Sequence, residues 1–271
     1  MELGLPVLQP ERLGGDARHE VAALGAELLV CVAYGKFFGP KFLELFPAGS
    51  INLHPSLLPR YRGPAPIPAP ILHGDKETGV TVQKVSQEMD AGDIFLQRRV
   101  TLSGTETSGQ LVEQLGELGG EAVVEVVDQI EAGEARAVPQ EEEAATYTQL
   151  LTKSDGEIDW NRSAVEIERA VRAYQPWPLA HTSFSGQRLN ILGAEVVEAA
   201  GEREGSAEAG EVAAQRGPGT VLRVDTGRGI LVETGNGQLA LTQLQLQSRK
   251  ALSWDSFLNG VHDFIGAVLG G

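Results

Sequence analysis

The chain has 271 residues, 42% of them hydrophobic and 22% charged, a globular composition long enough for one large or two ordinary domains. Its net charge of −15 argues against broad phosphate binding, yet residues 101–150 hold eleven acids against one base and so carry −10 of that total. The longest apolar runs, such as Leu28 to Ala33, are strand-sized rather than the ~20 residues of a membrane helix, and no basic-then-apolar leader pattern opens the chain. A single cysteine, Cys31, excludes an internal disulfide framework and fits a reducing compartment. The expectation is a cytoplasmic protein without a membrane partner. Cys31, inside the run LLVCVA, reads as buried filler.

Gly4 to Pro10 reads as an extended apolar piece, and a helix is predicted from Asp16 to Leu24. Ala26 to Val32 has the continuous apolar pattern of a fully buried strand in a parallel sheet. A helix near Pro40 to Phe46 and a strand ending at His54 complete one βαβ unit, and Pro40 suits the first turn of that helix. Alternation along the strand points Asn52 and His54 to the same side. Pro55 keeps His54 extended, so the imidazole is left at the carboxyl end of the strand, the edge where open α/β sheets bind ligands. Leu57, Leu58 and Pro59 then form a short apolar shelf, followed by Arg60, Tyr61 and Arg62 before Gly63 allows a turn. That combination suits a flat, partly anionic ligand.

A helix over Ile67 to His73 is expected despite its prolines, then β-rich runs at Gly79 to Val85 and Ile94 to Val100. The tight connection between these runs carries Asp90 and Asp93, and a carboxylate there can reach a histidine on a neighbouring strand. Thr107 to Ala132 reads as an amphipathic helix opened by a Ser/Thr cap, with Leu111, Leu115, Leu118, Val123, Val127 and Ile130 inside. Glu113, Glu117, Glu121, Glu125 and Asp128 recur at helical spacing and read as its solvated face. Ala135 to Leu150 looks like a surface linker. After a helix at Ala164 to Ala173 come short strands at Ala180 to Phe184, Arg188 to Glu195, Gly219 to Val224, Gly229 to Glu233 and Gln238 to Leu246, the punctuation of a small barrel. Gly201 to Gly210 reads as a mobile loop with no specific role. The predicted organisation is a first domain over 1–134, a linker over 135–160 and a second domain over 161–271.

The segments NLHPSLLPRYRGPAPI, GDKETGVTV and MDAGDI resemble the signature of the folate-dependent formyltransferases, and the resemblance runs from about Gly4 to Leu258. It implies an α/β, Rossmann-like catalytic domain followed by a small OB-like β-barrel, with 10-formyltetrahydrofolate as formyl donor and no metal. In that family an Asn, a His two residues on and an Asp on a later loop do the chemistry. Matched motif to motif, these are Asn52, His54 and Asp90, while Ser56, Leu57, Leu58 and Pro59 would line the folate pocket. The resemblance implies that Asn52 donates to the developing oxyanion, that His54 accepts the amine proton or hydrogen-bonds the oxyanion, and that Asp90 orients His54; which of His54 and Asp90 moves the proton stays open.

ATYTQLLTKSDGEIDW at Ala145 to Trp160 and RAYQPWPLA at Arg172 to Ala180 resemble the branch of the family that formylates methionyl initiator tRNA for translation initiation. The implied partners are that tRNA and the folate, with a monomeric protein if the chain is complete. Amino-sugar formyltransferases share the first motifs, so a nucleotide-linked amino sugar remains an alternative acceptor, as does an inactive folate- or RNA-binding fragment. Taken singly, Asn52 also reads as a strand-end cap, His54 as a satisfied core histidine, and Arg60 and Arg62 either as surface charges or as contacts to ligand or tRNA phosphate. Asp93 reads as a turn residue. Trp160, Trp177 and Trp254 read as packing residues, and His73 and His181 lack metal-ligand spacing. Family chains begin with a strand, helix and strand ahead of the segment matched by Gly4 to Pro10, and their tRNA-contacting loop comes from that part. The expectation is therefore a fragment or internally started, N-terminally truncated chain, with Leu28 to Val32 short of apolar cover and the protein poorly stable alone or prone to associate.

Overall fold

The computed structural model describes residues 3–197 and 217–270, so the loop predicted over Gly201 to Gly210 lies outside them. The chain divides into two compact units, one of Met1–Pro66, Thr78–Val100 and Gln114–Thr148, the other of Ile67–Glu77, Thr101–Glu113 and Gln149–Gly271.

In the first unit a helix α1 (Gly15–Ala22) leads to strand β1 (Leu28–Val32), a short helix α2 (Pro40–Leu43) and strand β2 (Gly49–His54). β1 and β2 pair in parallel from Leu28↔Gly49 to Val32↔Leu53, the βαβ unit expected of a Rossmann-like sheet. After helix α3 (Pro68–His73), which belongs to the second unit, β3 (Glu77–Lys84) returns antiparallel to β2, with Asn52 opposite Gln83 and His54 opposite Thr81, and β4 (Ile94–Thr101) completes the order β1-β2-β3-β4. β1 is not the fully buried strand its apolar run predicts, and it matches the expectation that Leu28 to Val32 are short of apolar cover: only Cys31 is buried, while Val30 is 40% and Val32 53% exposed. An apolar run is enclosed only with neighbours on both edges and both faces, and among the described residues β1 has a strand on one edge alone.

Helix α4 (Ser108–Glu131) opens on Thr107, whose Oγ1 accepts from the Gln110 N–H at 3.3 Å while Gln110 Oε1 accepts from the Thr107 N–H at 2.9 Å. Its buried stripe is Leu111, Leu115, Ala122 and Val126; Leu118, Val123, Val127 and Ile130 lie at the margin, contrary to the reading that placed them inside. Gly119 explains the offset. A Cβ there would stand 2.6 Å from Leu53 Cδ2, so the helix approaches β2 along its smallest residues rather than its largest.

The second unit holds α5 (Ala164–Ala173) and strands β5 (His181–Phe184), β6 (Gln187–Val197), β7 (Val221–Asp225), β8 (Gly229–Glu233), β9 (Gln238–Leu246) and β10 (Leu252–Ser253). The strands pair antiparallel in the order β5-β6-β9-β8-β7, with β10 on β9. Ser163 caps α5 through a box with Glu166, and the apolar face of that helix, Ile167 and Val171, joins Leu189, Ile191, Ile230 and Leu241 in one core. Phe264 meets Phe184 and Phe257 edge-on within it. Trp160 is buried and donates to Thr182 Oγ1 at 3.0 Å, and Trp254 packs against the same core, but Trp177 is 51% exposed and lies outside that core. Among the described residues no helix is long and apolar enough to cross a membrane.

Candidate functional site

β2 delivers Asn52 and His54 to its carboxyl end, and the β3–β4 connection brings Asp90 to meet them. Asn52 Nδ2 and His54 Nδ1 each lie 3.5 Å from Asp90 Oδ1. The three residues expected from motif matching thus gather around one carboxylate. Its other oxygen, Oδ2, accepts the Gly63 N–H at 2.8 Å, and Oδ1 also accepts from Gln83 Nε2 at 3.1 Å. Gly63 has φ +107, and its Cβ would lie 2.7 Å from the Thr148 carbonyl, so only glycine brings this N–H onto Asp90.

His54 is buried, and its Nε2 sits 2.8 Å from the Tyr61 carbonyl oxygen. A carbonyl only accepts, so Nε2 carries the hydrogen and Nδ1 faces Asp90. Burial pushes the imidazole below its ordinary pKa, partly offset by the Asp90 charge and by the Tyr61 hydrogen bond. The ring is therefore neutral at pH 7, with the Nδ1 lone pair turned to the carboxylate. Protonation at Nδ1 would place a cation directly beside Asp90, the arrangement of a base whose conjugate acid is stabilised by an anion.

The shelf divides by burial. Ser56 and Leu58 turn inward: Ser56 Oγ donates to the Arg60 carbonyl at 2.6 Å, Thr81 Oγ1 donates to the Ser56 carbonyl at 2.7 Å, and Leu58 is 3% exposed. Leu57 and Pro59 are half-buried, and Leu57 Cδ2 lies 2.7 Å from where a Cβ on Gly79 of β3 would stand. Arg60 is exposed and lies 4.9 Å over the Tyr61 ring. Arg62 is neither a surface charge nor open to a phosphate. Its side chain is fully buried, and all five guanidinium hydrogens are taken: Nε and Nη2 by Gln140 Oε1, Nη1 and Nη2 by Glu142, and Nη1 by Tyr147 Oη. Asp93 holds the turn as expected, its carbonyl accepting the Lys84 N–H at 2.9 Å and its carboxylate pairing with Lys84 Nζ at 3.0 Å.

Gln83 and Gln140 were missed by motif reasoning. Gln83 had a signal: Thr81 and Gln83 alternate as polar residues in a strand whose Val80 and Val82 are buried, and the register puts them opposite His54 and Asn52. Gln140 had none, since it follows Pro139 in a stretch read as linker. Among the described residues no group of three or more His, Cys, Asp or Glu could hold a metal ion.

A family model described as formyl transferase matches residues 8–127, and one described as formyl transferase, C-terminal domain, matches residues 150–262. A methionyl-tRNA formyltransferase of Treponema denticola is 45% identical over 260 residues, covering 96% of this chain and 78% of its own length. The chain belongs to the methionyl-tRNA formyltransferase family. Relatives of that name from a Roseiflexus species and Pseudomonas fluorescens are 40% and 38% identical over the whole chain, covering 79% and 81% of their own lengths. Among solved structures, HypX from Aquifex aeolicus in complex with tetrahydrofolic acid shares the fold with a TM-score of 0.65 at 20% identity, over 92% of this chain and 42% of that one. An N-formyltransferase from Helicobacter canadensis with folinic acid and dTDP-3-aminofucose has a TM-score of 0.57 at 17% identity, over 79% of this chain and 71% of its own. In this family member the two matched segments contain the Asn52, His54 and Asp90 cluster and the antiparallel sheet, respectively.

Proposed function

We propose that this protein transfers the formyl group of 10-formyltetrahydrofolate to the amino group of methionyl initiator tRNA, with Asn52, His54 and Asp90 acting on the reacting atoms. The observation that carries the reading is the convergence of Asn52 Nδ2 and His54 Nδ1 on Asp90 Oδ1 at the carboxyl end of β2, in a chain whose relatives bear that activity's name. The amine nitrogen attacks the formyl carbon, the new C–N bond forms as the bond to the folate nitrogen breaks, and one proton passes from the amine to that leaving nitrogen. Asn52 donates its neutral amide to the formyl oxygen as negative charge develops, an effect worth roughly 3 kcal/mol in comparable acyl-transfer sites. His54 takes the amine proton at Nδ1, and Asp90 stabilises the imidazolium and returns the ring to neutrality as the proton moves on. Leu57 and Pro59 offer the apolar surface for the flat folate ring, with Ser56 and Leu58 holding the shelf from behind. Residues 1–134 form the catalytic domain in this reading and residues 161–271 the tRNA-binding domain beyond a linker at 135–160.

The test is to incubate the protein with 10-formyltetrahydrofolate and either charged initiator tRNA or a nucleotide-linked amino sugar. Formyl-methionyl-tRNA is expected and formylated sugar is not; the reverse pattern, or neither product, overturns the reading. Asn52→Ala, His54→Ala and Asp90→Ala should each lower turnover about a hundredfold or more with the fold retained. Near-wild-type turnover in any one removes that residue from the mechanism.

A further inference from the structure

We propose that Gln140 is a positioning residue for this reaction, clamping the backbone of the Asp90 loop so that the carboxylate stays between Asn52 and His54. Its Nε2 lies 2.7 Å from the Asp90 carbonyl oxygen, 2.8 Å from the Gly92 carbonyl oxygen and 3.1 Å from Gln83 Oε1. Its Oε1 accepts from Arg62 Nε at 3.0 Å and Nη2 at 2.9 Å. Chemistry allows the amide to face only this way. A guanidinium has donors and no acceptor, and the loop carbonyls accept and cannot donate, so the oxygen must meet Arg62 and the NH2 must meet the loop.

The loop needs such a hold. Asp90 has φ +53, the left-handed region that a non-glycine residue occupies at a cost of order 1 kcal/mol or more, and that persists where the surroundings over-determine it. Gly92 is pressed onto the end of β3, since a Cβ there would lie 1.9 Å from the Lys84 carbonyl. Gln140 spans both residues with one amide, whose two hydrogens go to the two carbonyls, and its Nε2 also lies 3.1 Å from Oε1 of Gln83, the residue that donates to Asp90 Oδ1. Arg62, fully buried and anchored by Glu142 and Tyr147, keeps Gln140 from turning away. A chain of hydrogen bonds therefore runs from the extended segment after α4 to the Asp90 loop, with none of Gln140's hydrogen bonds going to Asn52, His54 or the Asp90 carboxylate.

This inference rests on the role given to Asp90 above, and a double-mutant cycle separates the two. Turnover is measured for the wild type, Gln140→Met, Asp90→Ala and the double variant, with 10-formyltetrahydrofolate and charged initiator tRNA saturating. A loosened loop displaces the carboxylate by an ångström or so, and Gln140→Met should lower kcat about ten- to a hundredfold while both KM values stay within about twofold. On the Asp90→Ala background the same substitution should change kcat by less than about twofold, since it acts through a group already gone. A merely structural role would lower the active fraction equally on both backgrounds, so losses that multiply overturn the proposal, as does wild-type kcat in Gln140→Met. Near-wild-type kcat in Asp90→Ala instead overturns the assignment of Asp90. If Gln140→Met does not fold, the same cycle is run with Gln140→Glu, which keeps the acceptor for Arg62 but sets a carboxylate against two carbonyls; coupling to Asp90 is again the supporting result and additivity the refuting one.

Discussion

Arg62→Met keeps the length and apolar stem of the side chain and removes the guanidinium, which isolates the worth of its hydrogen bonds from that of its packing. Five N–H donors disappear, but their acceptors are not equally placed. Glu142 is 68% exposed and Tyr147 63%, so water replaces the lost donors there. Gln140 Oε1 is part-buried and bound by two of the five hydrogens, so it bears the loss. An acceptor left without its donor in such a place costs about 1–3 kcal/mol, and the forfeited charge-assisted bonds a further 1.5 kcal/mol or so. The expected loss is about 3 kcal/mol, a large part of the ~5–15 kcal/mol by which domains are stable. It is read by urea unfolding followed by far-UV circular dichroism. Tryptophan fluorescence cannot serve, because Trp160, Trp177 and Trp254 all lie in the second unit. Glu142→Gln should leave the midpoint near that of the wild type. Equal midpoints for Arg62→Met and wild type, or an equal fall in Glu142→Gln, would refute the argument that the buried half of this pair carries its stability.

Because burial holds the His54 imidazole below its ordinary pKa, the ring stays neutral through pH 7 and kcat/KM should be flat down to about pH 6.5, falling only below it as Nδ1 protonates. The linkage has the same sign: the unfolded chain binds the proton first, so this contribution to stability is complete above about pH 6.5 and is lost as pH falls through the depressed folded value. An acid limb above that pH in the rate profile counts against a buried, neutral base. Leu57→Asp should weaken folate binding at least tenfold while tRNA binding stays unchanged, since a charge on the shelf meets the folate ring first; titration calorimetry with each ligand decides it, and an unchanged folate Kd sinks the assignment. Gly119→Val should destabilise the first unit by about 1–3 kcal/mol, because its Cβ alone would stand 2.6 Å from Leu53 Cδ2, and a wild-type melt would show that α4 can shift without cost.

The sequence by itself determined the local order of the chain and the identity of the chemical groups. Period and punctuation placed the βαβ unit, the long helix and the strands of the second unit within a few residues, because hydrophobic alternation and caps such as Thr107 and Ser163 act over one or two turns of chain. Asn52 and His54 were legible together for the same reason: two residues apart on a strand, they share a face before any folding is considered. Small residues concealed the rest of the packing. The stripe of α4 runs through Gly119 and Ala122, whose small side chains give little apolar signal, so the larger Val123 and Val127 count as inside on sequence while lying at its margin. Burial itself was decided in three dimensions. The run Leu28 to Val32 has an interior composition yet occupies a sheet edge, and Arg62 has the composition of a surface yet is enclosed, because enclosure depends on which strands and loops arrive from elsewhere in the chain. The same holds for Gln140. Its amide matters only because residues 50 and 78 positions upstream present a carbonyl and a guanidinium to its two ends, and hydrogen-bond chemistry over such separations leaves no local pattern to read.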